Sequence, residues 1–331
     1  MNTINIFKTR TKEFFSLWKN YGFIYACYNI LWWVCFYTRP PYCNKISTFA
    51  INGKTKWLDK YFAKKYNHII EKYRNTAISG EVITEAIIWV FWGQGETQMP
   101  PLVKACYRQL THHNNNVKLL TNANIRNYIE IPDVVMQKVC NGQISWAYFS
   151  DIVRNSVLGK YGGLWVDATA WVPKRIPIER FMEYRFISPA ENPEHNSRSV
   201  RFWSTFDWNW NGWCMWSNSK NYIIFSFVAD MLIEIAKREI VIPDYVTIDY
   251  LIYLAIRTFP ETHRDLEKAK DIPCANRHRL ALMMNETYNH DRYKELIEND
   301  FIFKLSFRAN WEKTTKDGTE TFYGRILKDV I

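Results

Sequence analysis

A chain of 331 residues with 47% hydrophobic and 23% charged side chains is typical of a folded protein with one large domain or two smaller ones, not of a disordered chain. Its seven cysteines include no Cys-x-x-Cys pair, so we expect reduced thiols in a cytosolic protein. Thirteen Lys/Arg and three acids in residues 1–80 account for the whole net charge of +10. The rest of the chain is neutral, and we expect no nucleic-acid partner.

The basic N-terminal segment also carries an aromatic stretch. Residues 21–37 are uncharged and rich in Tyr and Trp, and Lys8, Lys12 and Lys19 precede them. The stretch is shorter than the roughly 20 residues of a membrane span. Basic flanks with interfacial aromatics favour a helix at the headgroup level of an anionic membrane. The alternative is a helix packed on the main domain, with its aromatic side chains in the core.

Apolar residues at helical spacing predict a further helix over residues 57–73. Gly80 ends this pattern shortly before the first strong strand. We therefore expect an N-terminal helical extension over residues 1–80 and a main domain over residues 81–331. The expected location is the cytoplasm, with peripheral association at the inner face of the plasma membrane.

In the main domain, short apolar runs typical of buried strands alternate with segments of helical spacing. Strands are predicted over residues 85–92, 117–121, 164–167, 184–189 and 212–217. Helices are predicted over residues 102–110, 124–129, 142–160, 222–239 and from 243 onward. This alternation predicts an α/β fold, with a mostly parallel sheet flanked by helices and ligands bound beyond the carboxyl ends of its strands.

Two predicted strand ends carry candidate site residues. Trp92 and Gly93 follow the first strand, where a glycine allows backbone to approach a flat ligand. Asp167 ends the third strand, and a carboxylate there suits a metal ion shared with phosphate oxygens. Asp151 and Arg154 lie three residues apart on the preceding helix. They either pair with each other or bind the phosphate and hydroxyl groups of a ligand.

The stretch Ser150-Asp151-x-x-Arg154-x-x-x-Leu158-x-x-Tyr161-Gly162-Gly163-x-Trp165-x-Asp167 resembles the signature of glycosyltransferase family 32, which has a DXD-containing sugar-binding region. Asp167-Ala168-Thr169 and the strand 87–92 are more similar to its bacterial capsular polysaccharide synthesis branch. The resemblance runs from about residue 55 to 260. It implies a GT-A-like fold, a nucleotide-sugar donor (most often a UDP-sugar), a divalent metal (Mn²⁺ or Mg²⁺) and transfer with retention.

On this resemblance, Asp167 and Thr169 are the expected metal ligands, although Thr169 stands where the wider pattern has a second Asp. Asp167 and Asp249 are the expected catalytic residues, and Asp249 matches an Ile-Asp-Tyr helix start in the relatives. The expected donor-binding residues are Trp92, Gly93, Asp151, Arg154, Gly163, Asp167, Thr169, Lys304 and Arg308. Lys304 and Arg308 would neutralise the leaving diphosphate.

Five tryptophans within 14 residues are candidates for an acceptor-binding loop or for core packing: Trp203, Trp208, Trp210, Trp213 and Trp216. The expected function is a glycosyltransferase (a hexosyltransferase) that transfers a sugar to a glycan or polyprenyl-linked acceptor in capsular or surface polysaccharide synthesis. Because Thr169 replaces the second Asp of the wider pattern, an alternative is a non-catalytic protein that binds nucleotide sugars or glycans. An unrelated membrane-surface adaptor is a third hypothesis, and it depends only on residues 1–80.

Overall fold

A computed structural model describes residues 3–38, 42–75, 80–189, 210–269 and 277–328. Its strands, in chain order, are β1 (Ile88–Phe91), β2 (Val117–Leu120), β3 (Gly163–Val166), β4 (Ala170–Trp171), β5 (Cys214–Ser217) and β6 (Phe303–Lys304). The central sheet has the order β2-β1-β3-β5. Both β2 and β3 run parallel to β1, and β5 is antiparallel to β3. A small second sheet pairs β4 with β6 in antiparallel fashion.

The central strands are buried on both faces. Every residue of β1, β3 and β5 is buried, which is the pattern of a sheet covered by helices on each side. The helices of the main domain are α5 (Pro101–His113), α6 (Asp133–Cys140), α7 (Trp146–Tyr161), α8 (Ile178–Phe181), α9 (Ile223–Arg238), α10 (Thr247–Thr258), α11 (Pro260–Ala269), α12 (Arg279–Met283), α13 (His290–Asn299) and α14 (Phe322–Lys328). The predicted α/β class, with its mostly parallel sheet, is confirmed.

The N-terminal region is helical, as predicted. It comprises α1 (Thr3–Tyr21), α2 (Phe23–Thr38), α3 (Cys43–Lys65) and α4 (Asn67–Arg74). Gly22, at a φ of +90°, separates α1 from α2. None of the described helices combines the length and the apolarity needed to cross a bilayer.

These N-terminal helices share one hydrophobic core with the main domain. Tyr25, Leu58 and Phe62 belong to the same buried cluster as Trp89 and Phe149. The apolar side chains of α2 divide between the core and the surface, because Tyr25 and Trp32 are buried whereas Phe23 and Ile24 are exposed.

A short segment of the main domain is held by these helices. The backbone oxygen of Pro243 accepts a hydrogen bond of 2.9 Å from the Tyr25 hydroxyl, and the oxygen of Val241 accepts one from Tyr21. Beside them, Lys54 forms a buried ion pair with Asp244. The segment leads directly into α10, so the N-terminal region helps to position the start of that helix.

Three elements predicted from the sequence differ from those in the structure. The predicted helix over 57–73 is two helices that meet at Tyr66, whose backbone leaves helical geometry. Residues 184–189 form only an isolated bridge between Ile187 and Trp216, not a strand. The predicted helix over 124–129 is a single 3-10 turn, Ile125–Asn127.

Candidate functional site

Asp167 follows β3 directly, at the carboxyl end of the parallel part of the sheet. Its backbone N–H donates 2.8 Å to the Trp213 carbonyl, which fixes the first residue beyond the strand. At the other end of β3, Gly163 has a φ of +93°, and a Cβ there would lie 2.3 Å from the Ile87 carbonyl oxygen. This close packing alone accounts for a glycine at position 163, and its contact with a donor stays a prediction.

Helix α7 brings Asp151 and Arg154 to Asp167. Ser145 caps the helix, because its side chain accepts from the Tyr148 N–H. Arg154 is only 5% exposed. Its guanidinium lies 2.6 Å from Asp151 Oδ1 and 3.3 Å from Asp167 Oδ1. Arg154 therefore pairs with its helix neighbour and also reaches the end of β3.

The β4–β6 pair brings Lys304 to the same carboxylate. Lys304 lies opposite Ala170 in the ladder, and the Leu305 N–H donates to the Thr169 carbonyl. The Lys304 ammonium lies 2.7 Å from Asp167 Oδ2 and 2.8 Å from Thr169 Oγ1. The Trp165 indole N–H donates 2.9 Å to Asp167 Oδ1. Both oxygens of Asp167 therefore have donors.

The ionisation of the site carboxylates follows from these contacts. Burial acts to raise the pKa of Asp167, but the charges of Lys304 and Arg154 outweigh it and hold this pKa below its usual value. Burial raises the pKa of Asp151 to about 6, against the opposing effect of Arg154. The site thus holds one firmly ionised carboxylate next to one that titrates closer to neutrality.

Asp249 lies in the first turn of α10 and belongs to the same electrostatic group. Its Oδ1 accepts a hydrogen bond of 2.9 Å from the Trp210 indole. Burial raises the pKa of Asp249 to about 7, with the charge of Asp151 acting in the same direction and the Trp210 hydrogen bond opposing it. A half-buried carboxylate with such a pKa can exist in either protonation state near neutral pH.

Two of the remaining predicted residues, Trp92 and Arg308, both contact Phe307. The ring centroids of Phe307 and Trp92 are 5.7 Å apart, and the guanidinium of Arg308 lies 5.5 Å from the centroid of the Phe307 ring. Gly93 is required for close packing, since a Cβ there would lie 2.9 Å from Asn122 Oδ1. Arg308 is exposed and has no contact with Asp167 among the described residues.

Of the five clustered tryptophans, Trp203 and Trp208 lie outside the described residues. Trp210, Trp213 and Trp216 are buried, as the core-packing alternative expects.

Tyr245 is a site residue that sequence reasoning missed. It is 68% exposed and comes one helical turn before Asp249. After burial, the charges of Asp151, Arg308, Asp167 and Asp249 have the largest influence on its pKa, which is raised. An exposed ring among these groups could stack on a sugar. The only signal in the sequence was the spacing of four residues to Asp249.

Three site residues also carry a buried N–H group that has no acceptor in the described part of the chain: Arg154 Nε, Trp92 Nε1 and Trp213 Nε1. Buried donors are normally satisfied, so orphaned donors at a site call for an explanation. A ligand rich in oxygen atoms, such as a phosphate or a sugar, would supply acceptors.

The predicted metal ligands do not fit a divalent ion as they are arranged. Asp167 and Thr169 supply one carboxylate and one hydroxyl, and the Lys304 ammonium contacts both. Within residues 3–38, 42–75, 80–189, 210–269 and 277–328, no group of three His, Cys, Asp or Glu residues could hold a metal ion. The divalent metal therefore stays a prediction from the sequence.

Comparison with known proteins gives a family. A search of curated proteins found no match. Among solved structures, PaToxG glycosyltransferase is similar at 15% identity with a TM-score of 0.36, over 75% of this chain and 94% of that one. A likeness at that TM-score carries no weight for fold or function. The family model described as capsular polysaccharide synthesis protein matches residues 42–326. The chain belongs to the capsular polysaccharide synthesis protein family.

Proposed function

We propose that this protein is a glycosyltransferase of capsular polysaccharide synthesis. It would move a sugar from a nucleotide donor, a UDP-sugar in the first instance, to a glycan or polyprenyl-linked acceptor. The observation that carries the proposal is the convergence of Arg154 and Lys304 on Asp167 at the carboxyl end of β3. Ligands of open α/β sheets bind at such an edge. A GT-A-like fold and membership of family 32 are part of the proposal.

The chemistry assigned to the site is electrostatic. Transfer breaks the bond between the anomeric carbon and a phosphate oxygen, so negative charge grows on the departing diphosphate. Arg154 and Lys304 are cations within reach of that position, and Asp167 orients both of them. Asp249 would contact the donor sugar or the acceptor hydroxyl. Transfer with retention, by attack of the acceptor from the leaving-group side, is part of the proposal.

The site is also compatible with an alternative function, that of a non-catalytic protein that binds nucleotide sugars. Thr169 stands where a second carboxylate is expected, and both oxygens of Asp167 already have donors. A protein that binds nucleotide sugars without turning them over would have this same arrangement. Enzymatic release of the nucleoside diphosphate separates the two functions, because binding alone releases none.

Ligand binding tests the donor class first. We expect a UDP-sugar to raise the melting temperature of the full-length protein, since a ligand that binds only the folded state stabilises it. Arg154→Met should lose this shift, whereas Arg292→Met, which removes an exposed ion pair with Glu286, should retain it. If no UDP-, GDP- or dTDP-sugar shifts the melting temperature, the proposal is wrong.

We further propose that the α1–α2 hairpin binds an anionic membrane surface. Phe15, Trp18, Phe23 and Ile24 are exposed at the turn of the hairpin, each by 45% or more. The Trp18 and Phe23 rings touch edge to face at 5.2 Å, so the side chains form one continuous patch.

The charge around this patch suits a membrane. Lys8, Lys12 and Lys19 are exposed on the same helix as Phe15 and Trp18. Each basic residue near an anionic bilayer contributes about 1 kcal/mol of binding free energy. Aromatic and basic side chains together favour a position at the headgroup level.

Vesicle binding tests this surface. We expect the protein to co-sediment with vesicles of phosphatidylglycerol and phosphatidylcholine, and less with phosphatidylcholine alone. The Trp18→Ala, Phe23→Ala double variant should lose binding, whereas Leu282→Ala removes an apolar side chain that is 80% exposed elsewhere and should not. Equal sedimentation of all three proteins would contradict the proposal.

A further inference from the structure

We propose that Lys304 takes the place of a divalent metal, so that donor binding by this protein does not require one. The inference rests on the proposed function, because it concerns the donor diphosphate of that reaction. It departs from the expectation drawn from the sequence, in which Asp167 and Thr169 hold Mn²⁺ or Mg²⁺.

The position of the ammonium is set by the backbone. Lys304 lies in β6, directly opposite Ala170 of β4, and that pairing places its side chain beside Thr169. The Lys304 ammonium lies 2.7 Å from Asp167 Oδ2 and 2.8 Å from Thr169 Oγ1. It is therefore located between the two predicted metal ligands. The Trp213 ring lies 5.9 Å away on a third side. The fold therefore brings a cation to the point where a metal was expected.

A divalent ion at Asp167 and Thr169 would have to displace this ammonium. The ammonium would repel a divalent ion bound to the same ligands, because the repulsion between two cations grows as the inverse of their separation. Displacement would also break the only two hydrogen bonds that the described residues make to the ammonium. Asp167 would meanwhile still have to accept from Arg154 and Trp165. These contacts thus favour the Lys304 ammonium over a divalent metal ion at Asp167 and Thr169.

The Lys304 ammonium has a third N–H group that can donate a hydrogen bond to a ligand. A lysine side chain carries three N–H groups, of which two point to Asp167 and Thr169. Lys304 is 24% exposed, so the third N–H can reach a phosphate oxygen from the solvent side. In the transfer step the C1–O bond to the diphosphate breaks and its electron pair stays on the phosphate oxygen. C1 bonds to the acceptor oxygen, and the acceptor proton passes to the departing phosphate.

Nucleoside diphosphate binding tests the inference in the full-length protein. The probes are UDP, GDP and dTDP, measured by isothermal titration calorimetry with EDTA and again with Mn²⁺. We expect one of them to bind the wild type with equal affinity in both solutions. Lys304→Met should weaken that binding about tenfold or more in EDTA, the usual effect of losing a charge-assisted hydrogen bond. Lys220→Met, which removes an exposed lysine paired with Glu81, should have no effect.

Manganese EPR gives a second readout that does not depend on turnover. We expect the wild type to leave added Mn²⁺ free in solution, because the Lys304 ammonium occupies the position between Asp167 and Thr169. Wild-type protein that binds Mn²⁺, or that needs Mn²⁺ to bind the diphosphate, overturns the role of Lys304 and leaves the proposed function standing. Absence of diphosphate binding in both solutions overturns the proposed function as well.

Discussion

Replacing Asp249 with Asn is expected to stabilise the protein at neutral pH and to remove its activity. The carboxylate is half-buried beside Trp210 and close to the charge of Asp151. An Asn side chain has the same shape, and its Oδ1 can still accept the hydrogen bond from Trp210. The substitution therefore removes a half-buried charge and leaves the packing intact. Functional sites commonly carry such a conflict between stability and activity.

The magnitude follows from the pKa of Asp249, which burial raises from 3.8 to about 7. Between these values the folded protein holds a proton that the unfolded chain has lost, so the free energy of unfolding falls as pH rises. At about 1.4 kcal/mol per pKa unit, the loss is about 4 kcal/mol above pH 7 and about 2 kcal/mol at pH 5. Asp249→Asn should gain these amounts relative to the wild type.

Urea unfolding followed by tryptophan fluorescence measures the effect at pH 5 and pH 8. Asp244→Asn is the matched control, because Asp244 is buried and pairs with Lys54. Its loss strands a buried ammonium and should destabilise the protein by about 3 kcal/mol. If Asp249→Asn and the wild type have parallel free energies of unfolding across this pH range, Asp249 is not the raised-pKa carboxylate of the site.

Three further predictions concern other parts of the site. Tyr245→Ala should raise the KM for a sugar acceptor about tenfold, which is the effect of losing roughly 1.4 kcal/mol of stacking, and should leave donor affinity unchanged. Tyr245→Trp should retain the wild-type KM, and a rise in KM for this variant as large as that for Tyr245→Ala would refute stacking. Arg154→Lys should weaken UDP-sugar binding in calorimetry, because one ammonium cannot serve both Asp151 and Asp167; unchanged affinity would show that the guanidinium is dispensable. Gly163→Ala should lower the free energy of unfolding by about 2 kcal/mol or more, and equal urea midpoints for the variant and the wild type would refute the backbone role of this glycine.

Sequence reasoning located the end of β3 because the signals there are local. An apolar run after two glycines predicts a buried strand, and Asp167 is the first polar residue beyond it. Asp151 and Arg154 were likewise predictable as neighbours, since three residues separate them on one helix.

The contact between Lys304 and Asp167 had no local signal. The two residues are 137 positions apart and meet through β4 and β6, each only two residues long. Strands so short leave no alternation to read in a sequence. Tyr245 was missed for a similar reason, because the charged groups around it come mostly from three distant segments.

The aromatic N-terminal stretch shows a different limit. Its basic flanks and aromatic composition predicted a helix, but they could not assign the environment of each side of that helix. Tyr25 packs in the common core, whereas Phe23 lies at the surface, and that division is set by the position of α3 and by Val241 and Pro243. Composition alone therefore favoured membrane contact, with core packing as the alternative, and could not divide the side chains between the two.

The release of a nucleoside diphosphate from a nucleotide sugar tests the central claim most directly. We expect the full-length wild type to release UDP from a UDP-sugar in the presence of a glycan acceptor. Asp167→Asn should abolish release because it loosens both Arg154 and Lys304, and Asp317→Asn in an exposed turn should release UDP at the wild-type rate. Wild-type release by Asp167→Asn, with the fold intact, would contradict the account.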